Sequence, residues 1–538
     1  MKHYEDNFAH DHLPHPSLMA QCFTGHADFE FPQDLNCVER LLDRHIADGN
    51  GDRVAIRTDD TIWTYNYLYE KANQIAHVLV ENLDLKPGNR VLIRSANNPM
   101  YVAVWFGILK AGGIVVATMP LLREKELSTM VECAEISHAF CDYRLEEAML
   151  EVKSPFLKHV ITFDGTGEGV SKLETLMGNK PKEFKNFASK ADSLAIIGFT
   201  SGTTGKPKMT SHYHKDILLI CEAFPKYSLQ PMPDDIFTGS PPLGFTFGLG
   251  GLVLFPFYYG ASTFLIEKPT PEAILQAIQD HNVTICFTAP TAWRVLATKV
   301  KDYDISSLRK CVSAGETLPV KVWEDWYEAT GLKIIDGIGS TEILHIFISS
   351  NEENMRPGAT GLPVRGYEAK IVDNNGNEIT DGSPGRLAVR GITGCKYLGS
   401  EEKQMEYVQN GWNITGDIFR KDEDGYFWFV ARGDDMIISS GYNIAAIEVE
   451  SVLLGHEDIA ECAVVGLPDE NRGMLVCAYI VLKDKDKACD ELTKSIQDWF
   501  KNVAAPYKYP REIRYMDALP KTETGKIQRF KLKTTLQA

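Results

Sequence analysis

The sequence predicts an α/β protein with a large N-terminal domain and a smaller α+β C-terminal domain. Apolar runs rich in β-branched residues alternate with amphipathic helical stretches over most of the chain, which indicates two parallel-rich sheets with flanking helices. After Pro357 the predicted strands become short and hairpin-type turns separate them, which indicates a small β subdomain. We therefore expect an N-terminal domain over residues 1–433, with the β subdomain at about 357–433, and a C-terminal domain over 435–538.

The alternation is clearest in a few segments of the N-terminal domain. Arg90–Ile93 is predicted to be a buried strand and Met100–Leu109 the helix that follows it. Two later helices are predicted at Pro271–His281 and Pro319–Thr330, the second with a proline at its expected start. The buried strands predicted around these helices are His159–Phe163, Leu194–Phe199, Val283–Phe287 and Lys310–Ser313.

The segment from Ile236 to Ile266 contains no charged residue, so a transmembrane helix has to be considered for it. A transmembrane helix requires ~20 apolar residues, a length that this segment reaches. Prolines and glycines interrupt it repeatedly, among them Pro241, Pro256 and Gly260. We therefore expect a buried strand, turn, helix and strand here rather than a membrane span.

The later part of the chain has its own signals. Turn sequences mark the β subdomain at Asp373–Gly376, Asp381-Gly382 and Asp424-Gly425. The C-terminal domain is predicted to contain a helix near Ile447–Leu454 and strands near Ala460–Val465 and Leu475–Val481. From Phe500 onward the chain has nine basic and three acidic residues, a composition suited either to a solvated surface or to closing over a polyphosphate.

Composition and charge exclude several classes of protein. With 538 residues, 44% hydrophobic and 24% charged, the chain can build a sizeable core and is neither disordered nor collagenous. Its formal net charge of −17 argues against nucleic-acid binding, which needs a basic face. The eleven cysteines include no CxxC pair, which favours a reducing, cytoplasmic location and excludes a zinc ribbon. The oligomeric state stays open, a homo-oligomer included.

The first sixteen residues have no apolar core, so we expect no signal peptide. His10, His12 and His15 are metal-ligand types, but no cysteine or carboxylate cage surrounds them. We expect this segment to be a solvated leader.

The strongest local signal is the decapeptide Phe199–Lys208, which directly follows a predicted strand. Two glycines allow its backbone N–H groups to turn inward around an anion, and hydroxyls and lysines add further donors. It is not a Walker A loop, because Gly202 and Gly205 are three residues apart and Pro207 follows the lysine. We therefore predict a phosphate-binding loop of a different type. Its candidate ligands are Thr200, Ser201, Gly202, Thr203, Thr204, Gly205 and Lys208.

This loop resembles the phosphate-binding signature of the adenylate-forming superfamily, which includes acyl- and aryl-CoA synthetases, peptide-synthetase adenylation domains and firefly-type luciferases. The other family motifs follow in the family's order, and the architecture extends the resemblance to most of the chain. They are Ser313–Pro319 and Asp336–Glu342 for adenine, Thr415–Asp417 for ribose, Arg432–Asp435 for the interdomain hinge and Pro520–Arg529 for the catalytic lysine.

The resemblance implies ATP, Mg²⁺ and coenzyme A as cofactors and co-substrates. The phosphate loop would hold the triphosphate, Glu342 would help to hold Mg²⁺, and Asp417 with Arg432 would bind the ribose. Lys526 would bridge the substrate carboxylate and the α-phosphate. Further nucleotide-binding residues implied are Gly315, Glu316, Asp336, Gly337, Ile338, Ser340 and Thr341.

The resemblance also implies a mobile C-terminal domain. It would present Lys526 for adenylation and then rotate about Asp434 for thiol transfer. The rotated arrangement would open a tunnel for coenzyme A, with Ser440, Gly441 and Tyr442 in its wall.

Three segments resemble benzoate- and 2-aminobenzoate-CoA ligases in particular: Gly337–Phe347, Pro242–Gly251 and Thr210–Asp216. His345 takes the place of the family histidine beside the substrate carboxylate and is a candidate catalytic residue with Lys526 and Glu342. A flat ring fits an apolar slot with few polar groups. The residues expected to form that slot are Phe245, Ala314, Gly339, His345 and Ile346.

Some positions depart from the wider family. Ile338 stands where many relatives have an aromatic residue, Met209 where glycine or alanine is usual, and Ala446 where proline is common. The leading hypothesis is an aromatic acid–CoA ligase that forms AMP and pyrophosphate. The alternatives are a medium-chain fatty acid–CoA ligase, an adenylase that loads a carrier protein, and a degenerate homologue that acts as a scaffold.

Overall fold

The structure is a computed structural model of the full chain. It describes residues 4–23, 27–165, 171–200, 207–433, 436–439, 442–469, 473–504, 506–521 and 527–534.

The strands within these residues are β1 Val54–Arg57, β2 Ile62–Thr64, β3 Arg90–Arg94, β4 Ile114–Thr118, β5 His138–Asp142, β6 His159–Phe163, β7 Leu194–Thr200, β8 Lys208–Tyr213, β9 Ile236–Gly239, β10 Ser262–Phe264, β11 Ile285–Thr288, β12 Lys310–Ala314, β13 Ile334–Gly339, β14 Ile346–Ser349, β15 Leu362–Pro363, β16 Tyr367–Val372, β17 Gly385–Gly391, β18 Val408–Gln409, β19 Trp412–Lys421, β20 Phe427–Arg432, β21 Met436–Ser439, β22 Tyr442–Ala445, β23 Ile459–Asp469, β24 Gly473–Leu482 and β25 Glu512–Tyr515.

The α-helices are α1 Phe8–Asp11, α2 Arg44–Ala47, α3 Tyr65–His77, α4 Pro99–Lys110, α5 Glu124–Cys133, α6 Glu146–Leu150, α7 Lys172–Met177, α8 His214–Glu222, α9 Thr246–Leu249, α10 Phe255–Tyr259, α11 Pro271–His281, α12 Pro290–Lys299, α13 Val320–Thr330, α14 Glu401–Tyr407, α15 Ala446–Leu453, α16 Asp490–Val503 and α17 Arg529–Thr534. Stretches of π-helix lie at Glu39–Asp43, Val78–Asn82, Pro225–Leu229 and Gly250–Leu254.

Two sheets of mostly parallel strands form the first part of the molecule. The larger has the order β15-β14-β13-β12-β11-β9-β10-β1-β2, and its strands from β13 to β1 run parallel. The other has the order β6-β5-β3-β4-β7-β8, with β8 as an antiparallel edge strand. Every residue of α4 is buried, as expected for a helix that is apolar on all sides. This arrangement confirms the predicted α/β class with two parallel-rich sheets.

Two smaller sheets follow along the chain. Strands β16 to β20 form an antiparallel sheet, and β21 to β25 form another in which only the β24–β25 pair is parallel among the described strands. Two apolar clusters on this last sheet draw all their buried members from Ile437 to Leu532. The C-terminal segment therefore has an apolar core of its own.

Most predicted elements agree with the structure. The strand at His159–Phe163 and the helix at Pro271–His281 have the predicted bounds. The strand predicted at Val283–Phe287 begins two residues later. The segment Ile236–Ile266 folds as β9, α9, a π-helical stretch, α10 and β10, as predicted in outline. Within the described residues no helix is long and apolar enough to cross a membrane.

The expectation of a solvated N-terminal leader is wrong for part of the segment, although His10, His12 and His15 are exposed. The carboxylate of Asp6 forms an ion pair with buried Arg90, and Ala9 lies in the core at 1% exposure. The hydroxyl of Tyr4 donates to the carbonyl oxygen of Leu194 at 2.8 Å. The segment is held by these contacts, and the described residues contain no group of three metal-ligating side chains.

Candidate active site

A cavity of about 580 Å³ lies between the larger parallel sheet, the antiparallel β16–β20 sheet and the C-terminal segment. The carboxyl ends of β12 and β13 open into it, as expected for ligand sites of parallel sheets. Residues lining it from the first part of the chain include Gly315, Glu316, Asp336, Gly337, Ile338, Gly339, Asp417 and Arg432. Those from the C-terminal segment include Glu450, Glu461, Lys521, Ile527, Gln528 and Arg529.

Adjacent parallel strands bring together the two motifs predicted to bind adenine. Ser313 pairs with Asp336 and Ala314 with Gly337 across β12 and β13. Gly315 then turns the chain with a φ of +90°, a conformation that glycine adopts without strain. The Oδ1 atom of Asp336 is buried and has no hydrogen-bond partner among the described residues, and burial raises the pKa of this carboxyl well above its ordinary value. The cavity wall thus carries an unsatisfied polar atom suited to a polar ligand.

The predicted ribose-binding pair also lies at this cavity. Asp417 on β19 is directly opposite Arg432 on β20, and their Oδ1 and Nε atoms are 3.4 Å apart. Strand register places both residues, which are 15 positions apart in the sequence, side by side.

The predicted phosphate loop joins β7 to β8. Thr200 pairs with Lys208 at the end of this hairpin, and the Oγ1 atom of Thr200 is buried without a hydrogen-bond partner among the described residues. Five predicted ligands, Ser201, Gly202, Thr203, Thr204 and Gly205, lie outside the described residues.

Glu342 follows the end of β13 by three residues and is 8% exposed. Its Oε1 atom accepts a hydrogen bond of 2.6 Å from the hydroxyl of Tyr397, and that hydroxyl accepts one of 3.0 Å from the Nζ atom of Lys208. The Oε2 atom of Glu342 accepts no hydrogen bond from any described residue.

These atoms fit Mg²⁺. That ion prefers oxygen ligands and usually combines one or two carboxylates with substrate phosphates and water. A single carboxylate with one oxygen left open, linked through Tyr397 to the lysine that is predicted to bind phosphate, meets this requirement.

Thr341 and Ser340, predicted to bind ATP, are fixed by local contacts. The Nε2 atom of His212 lies 2.7 Å from the carbonyl oxygen of Thr341, so this nitrogen is the donor. The Oγ atom of Ser340 accepts a hydrogen bond from the backbone N–H of Ile343. His212 lies on β8, so the strand that carries the phosphate loop also holds the turn before Glu342.

His345 lies inside an aromatic cluster. Its ring is 2% exposed, and the ring centroids of Phe255, Phe224 and Phe247 lie 4.6, 6.0 and 6.0 Å away. Neither ring nitrogen makes a well-formed hydrogen bond with a described residue, and burial lowers the pKa of His345 to about 3. The imidazole is therefore uncharged at neutral pH, in apolar surroundings.

The other predicted pocket residues differ in exposure. Ala314 and Ile346 are buried at 4% and 2%, whereas Phe245 remains 36% exposed. Phe247, two residues further along the same loop, is the one whose ring faces His345. A side chain on Gly339 would meet the carbonyl oxygen of His345 at 2.7 Å, so glycine permits the close approach of β13 to the His345 backbone.

The C-terminal residues with predicted roles fall mainly outside the described residues. These are Lys526, Asp434, Ser440 and Gly441. Lys521 and Ile527, which bracket Lys526 in the sequence, form an antiparallel bridge, and both line the cavity. The backbone of Tyr442 pairs with Ser439 at the start of β22.

Sequence reasoning missed several residues around the site. Lys396 is buried and its Nζ atom lies 2.9 Å from a carboxylate oxygen of Asp216, while Tyr397 joins Lys208 to Glu342. Lys396 and Tyr397 belong to no motif that the sequence analysis identified. They reach the site because their segment pairs with β8, which is nearly 190 residues away in the sequence, and the sequence alone does not indicate that pairing. Aromatic residues around His345 were detectable only in part, from the loop that contains Phe245 and Phe247.

Comparison with known proteins identifies relatives over almost the whole chain. Residues 43–396 match the AMP-binding enzyme family and residues 448–526 match the AMP-binding enzyme C-terminal domain. The chain is 34% identical to Benzoate--CoA ligase of Thauera aromatica, covering 94% of this chain and 97% of that protein. It is 33% identical to mitochondrial acyl-coenzyme A synthetase ACSM3 of Mus musculus, covering 90% of this chain and 85% of that protein.

Comparison with a solved structure indicates the same family as these relatives. The anthranilate CoA ligase AuaEII in complex with anthranoyl-AMP superposes with a TM-score of 0.88 at 34% identity, covering 94% of this chain and 98% of that one. The resemblance inferred from the motifs is thereby confirmed: this chain belongs to the AMP-binding enzyme family.

Proposed function

We propose that this protein is an ATP-dependent aryl-CoA ligase. In the first step a carboxylate oxygen of an aromatic acid of the benzoate or 2-aminobenzoate type attacks the α-phosphorus of ATP, and pyrophosphate leaves. In the second step the thiol sulfur of coenzyme A attacks the acyl carbon, and AMP leaves with the bonding electron pair while the thiol proton passes to solvent. The observation that carries the proposal is the 34% identity to a benzoate–CoA ligase over nearly the full length of both chains.

The nucleotide-binding part of the proposal rests on the cavity. Asp336 supplies an unsatisfied carboxyl at the end of β13, beside Gly315 and Glu316, where an adenine would find hydrogen-bonding partners. Asp417 and Arg432 offer an acceptor and a donor 3.4 Å apart for the ribose hydroxyls. These groups support binding of a planar base between the strand ends and of a sugar against the antiparallel sheet.

The reacting phosphates would lie toward the β7–β8 hairpin. The backbone and hydroxyls of its loop bind the triphosphate, and Lys208 adds a positive charge. Mg²⁺ held with the help of Glu342 would neutralise charge on the phosphate oxygens when bound. Because the protein forms no covalent bond in this step, its contribution is positioning and charge stabilisation.

Lys526 is the proposed cation at the reacting centre. The two residues that flank its loop, Lys521 and Ile527, line the same cavity as Gly339 and Asp417. This placement supports an arrangement in which the loop reaches the α-phosphate. For the second step we propose that the C-terminal domain turns about Asp434 and that Ser440, Gly441 and Tyr442 line the coenzyme A entrance.

An aromatic acid suits the surroundings of His345. The uncharged imidazole is enclosed by Phe224, Phe247 and Phe255, so a bound acid would meet ring faces and one polar group.

The similarity to mouse mitochondrial ACSM3 keeps a medium-chain acyl-CoA ligase as the second candidate.

We place the enzyme in the cytoplasm, a proposal supported by the unpaired state of every cysteine.

The test is a substrate panel. Purified protein is incubated with ATP, Mg²⁺ and coenzyme A and with benzoate, 2-aminobenzoate, hexanoate or octanoate, and acyl-CoA and AMP are quantified by liquid chromatography. We expect the highest kcat/KM with one of the two aromatic acids. Higher kcat/KM with octanoate would instead assign a medium-chain ligase, and transfer only to a carrier protein would assign a loading enzyme.

A further inference from the structure

Tyr397 connects two residues to which the proposed function gives separate roles. Its hydroxyl donates to Glu342 Oε1 at 2.6 Å and accepts from Lys208 Nζ at 3.0 Å. The ring is buried at 1% exposure. A buried tyrosine needs one partner for its hydroxyl, and a backbone carbonyl commonly serves. Here both partners are charged side chains, one beside the phosphate loop and one at the candidate metal site.

The surrounding chain holds Tyr397 rigidly. Its backbone N–H donates to Gln404 Oε1 at 2.9 Å, and Gln404, fully buried, also donates to the carbonyl oxygens of Cys395 and Leu18. The stretch containing Tyr397 runs along β8: Leu398 donates to the carbonyl oxygen of Met209.

A buried ion pair adds to this support. Lys396 and Asp216 are 6% and 3% exposed, with Nζ and Oδ2 2.9 Å apart. Removing either partner of such a pair would leave a buried charge, so the pair strongly favours the observed position of the chain next to Tyr397.

The chemistry of the two partners sets the direction of both hydrogen bonds. A carboxylate oxygen can only accept, so the phenol O–H donates to Oε1 of Glu342. An ammonium can only donate, so the phenol oxygen accepts from Nζ of Lys208.

We infer that Tyr397 is a positioning residue that couples the phosphate-binding lysine Lys208 to the magnesium carboxylate Glu342. The inference rests on the proposed function. By engaging one oxygen of Glu342, the phenol fixes the orientation of the carboxylate and leaves Oε2 for the cation. By accepting from Lys208, it fixes the ammonium next to the loop. Tyr397 itself touches neither nucleotide nor acid in this account.

The test replaces Tyr397 with Phe, which removes the hydroxyl and keeps the ring. Mn²⁺ serves as the probe for the cation, and its binding in the presence of ATP is titrated by electron paramagnetic resonance. We expect Tyr397→Phe to weaken Mn²⁺ binding and to lower kcat, each by about 10-fold, because a hydrogen bond to a charged group is lost. The KM for the acid should stay unchanged.

Tyr65→Phe is the matched control. Tyr65 is fully buried and donates its hydroxyl to the carbonyl oxygen of Ala261 at 2.7 Å, away from the site. This variant should lower the melting temperature without changing Mn²⁺ binding. If Tyr397→Phe behaves as Tyr65→Phe does, with lower stability and normal Mn²⁺ binding, Tyr397 is merely structural and the inference is wrong.

A double-mutant cycle with Glu342→Gln tests the coupling itself. If Tyr397 acts through Glu342, the Tyr397→Phe change should have little further effect on Mn²⁺ binding in the Glu342→Gln background. Fully additive losses would overturn the inference. Because metal binding is measured with ATP alone, this result is independent of whether any acid is turned over, and absence of acid-dependent activity in the wild type would count only against the proposed function.

Discussion

At the scale of single residues, the proposed adenylation step depends on the positive charge of Lys526. Lys526 lies outside the described residues, but Lys521 and Ile527, which bracket it in the sequence, line the cavity of the candidate site. In the proposed mechanism the lysine acts as a point charge that stabilises negative charge as it develops on the reacting phosphate.

Replacing Lys526 with Ala should remove this stabilisation. We expect the rate of adenylation, measured as acid-dependent pyrophosphate release, to fall by about 10²- to 10³-fold. Transfer from preformed acyl-adenylate to coenzyme A should be nearly unchanged, because that step does not use the lysine. Lys485→Ala, at a solvent-exposed ion pair with Asp517, is the control. Equal loss in both half-reactions would contradict the assigned role.

Buried uncharged histidines predict how stability depends on pH. Burial lowers the pKa of His214 to about 3 and that of His345 to about 3, whereas unfolded histidine titrates near 6.5. Below pH 6.5 the unfolded chain therefore binds protons that the folded chain does not. Stability should fall from pH 7 to pH 5 by about 2 kcal/mol for each such histidine.

The measurement is the melting temperature at pH 7.5 and pH 5. His214 Nδ1 accepts from the backbone N–H of Cys37, a bond that Asn can imitate. His214→Asn should reduce the loss of melting temperature on acidification, while His10→Asn, at a half-exposed site, should not. An unchanged pH dependence in His214→Asn would show that this histidine is not neutral in the folded protein.

Single residues also show where sequence reasoning stops. Asp417 and Arg432 belong to motifs that carry their own local context, so their presence at one cavity was predictable. Tyr397 and His212 act through hydrogen bonds to distant segments, Tyr397 with Glu342 and Lys208 and His212 with Thr341. Such contacts depend on which strands become neighbours, and a linear pattern contains no record of that.

At the scale of elements, the close approach of β13 to the backbone of His345 bears on the proposed acid pocket. Gly339 pairs with Ile346 on antiparallel β14, at an irregularity in the register. A Cβ atom there would lie 2.7 Å from the carbonyl oxygen and 2.8 Å from the carbonyl carbon of His345, so the backbone would have to move.

Gly339→Ala should therefore displace His345. We expect the KM for the aromatic acid to rise by about 10-fold, with a smaller change in the KM for ATP, because displacements of ~1 Å in a positioned site have large kinetic effects. Gly178→Ala, where the nearest atom to the new methyl group is 3.6 Å away, is the matched control. Identical acid kinetics in Gly339→Ala and wild type would contradict the proposed pocket.

Element boundaries were predictable where local chemistry sets them. The helix at Pro271–His281 begins with a proline, and the side chain of Thr270 accepts from the N–H of Ala273. The N-terminal segment was not predictable, because its order comes from the ion pair between Asp6 and Arg90, a residue in another element.

At the scale of the whole molecule, a few contacts fix the C-terminal domain against the rest. Arg294 on α12 donates to the carbonyl oxygen of Ala460 at 3.2 Å, and its Nη2 atom lies 3.4 Å from Glu461. Glu461 also pairs with Lys521, at the base of the Lys526 loop, at 2.6 Å. These contacts favour the arrangement in which Lys521 and Ile527 line the cavity of the candidate site.

Arg294→Ala should therefore slow adenylation more than thiol transfer. We expect the rate of pyrophosphate release in this variant to fall about 2- to 5-fold, because partly exposed ion pairs contribute little individually. High salt screens the same ion pair, so it should lower the rate of pyrophosphate release in the wild type as well. Lys321→Ala, which breaks an exposed ion pair with Asp325 on α13, is the control. A larger loss in thiol transfer than in adenylation would show that the contact belongs to the other arrangement.

The central claim is that the chain activates an aromatic acid as its adenylate. Exchange of labelled pyrophosphate into ATP, measured without coenzyme A, tests it most directly because it requires only the first, reversible step. We predict exchange that depends on benzoate or 2-aminobenzoate and is lost in Lys526→Ala. No acid-dependent exchange by correctly folded protein, with either aromatic acid, would contradict the account.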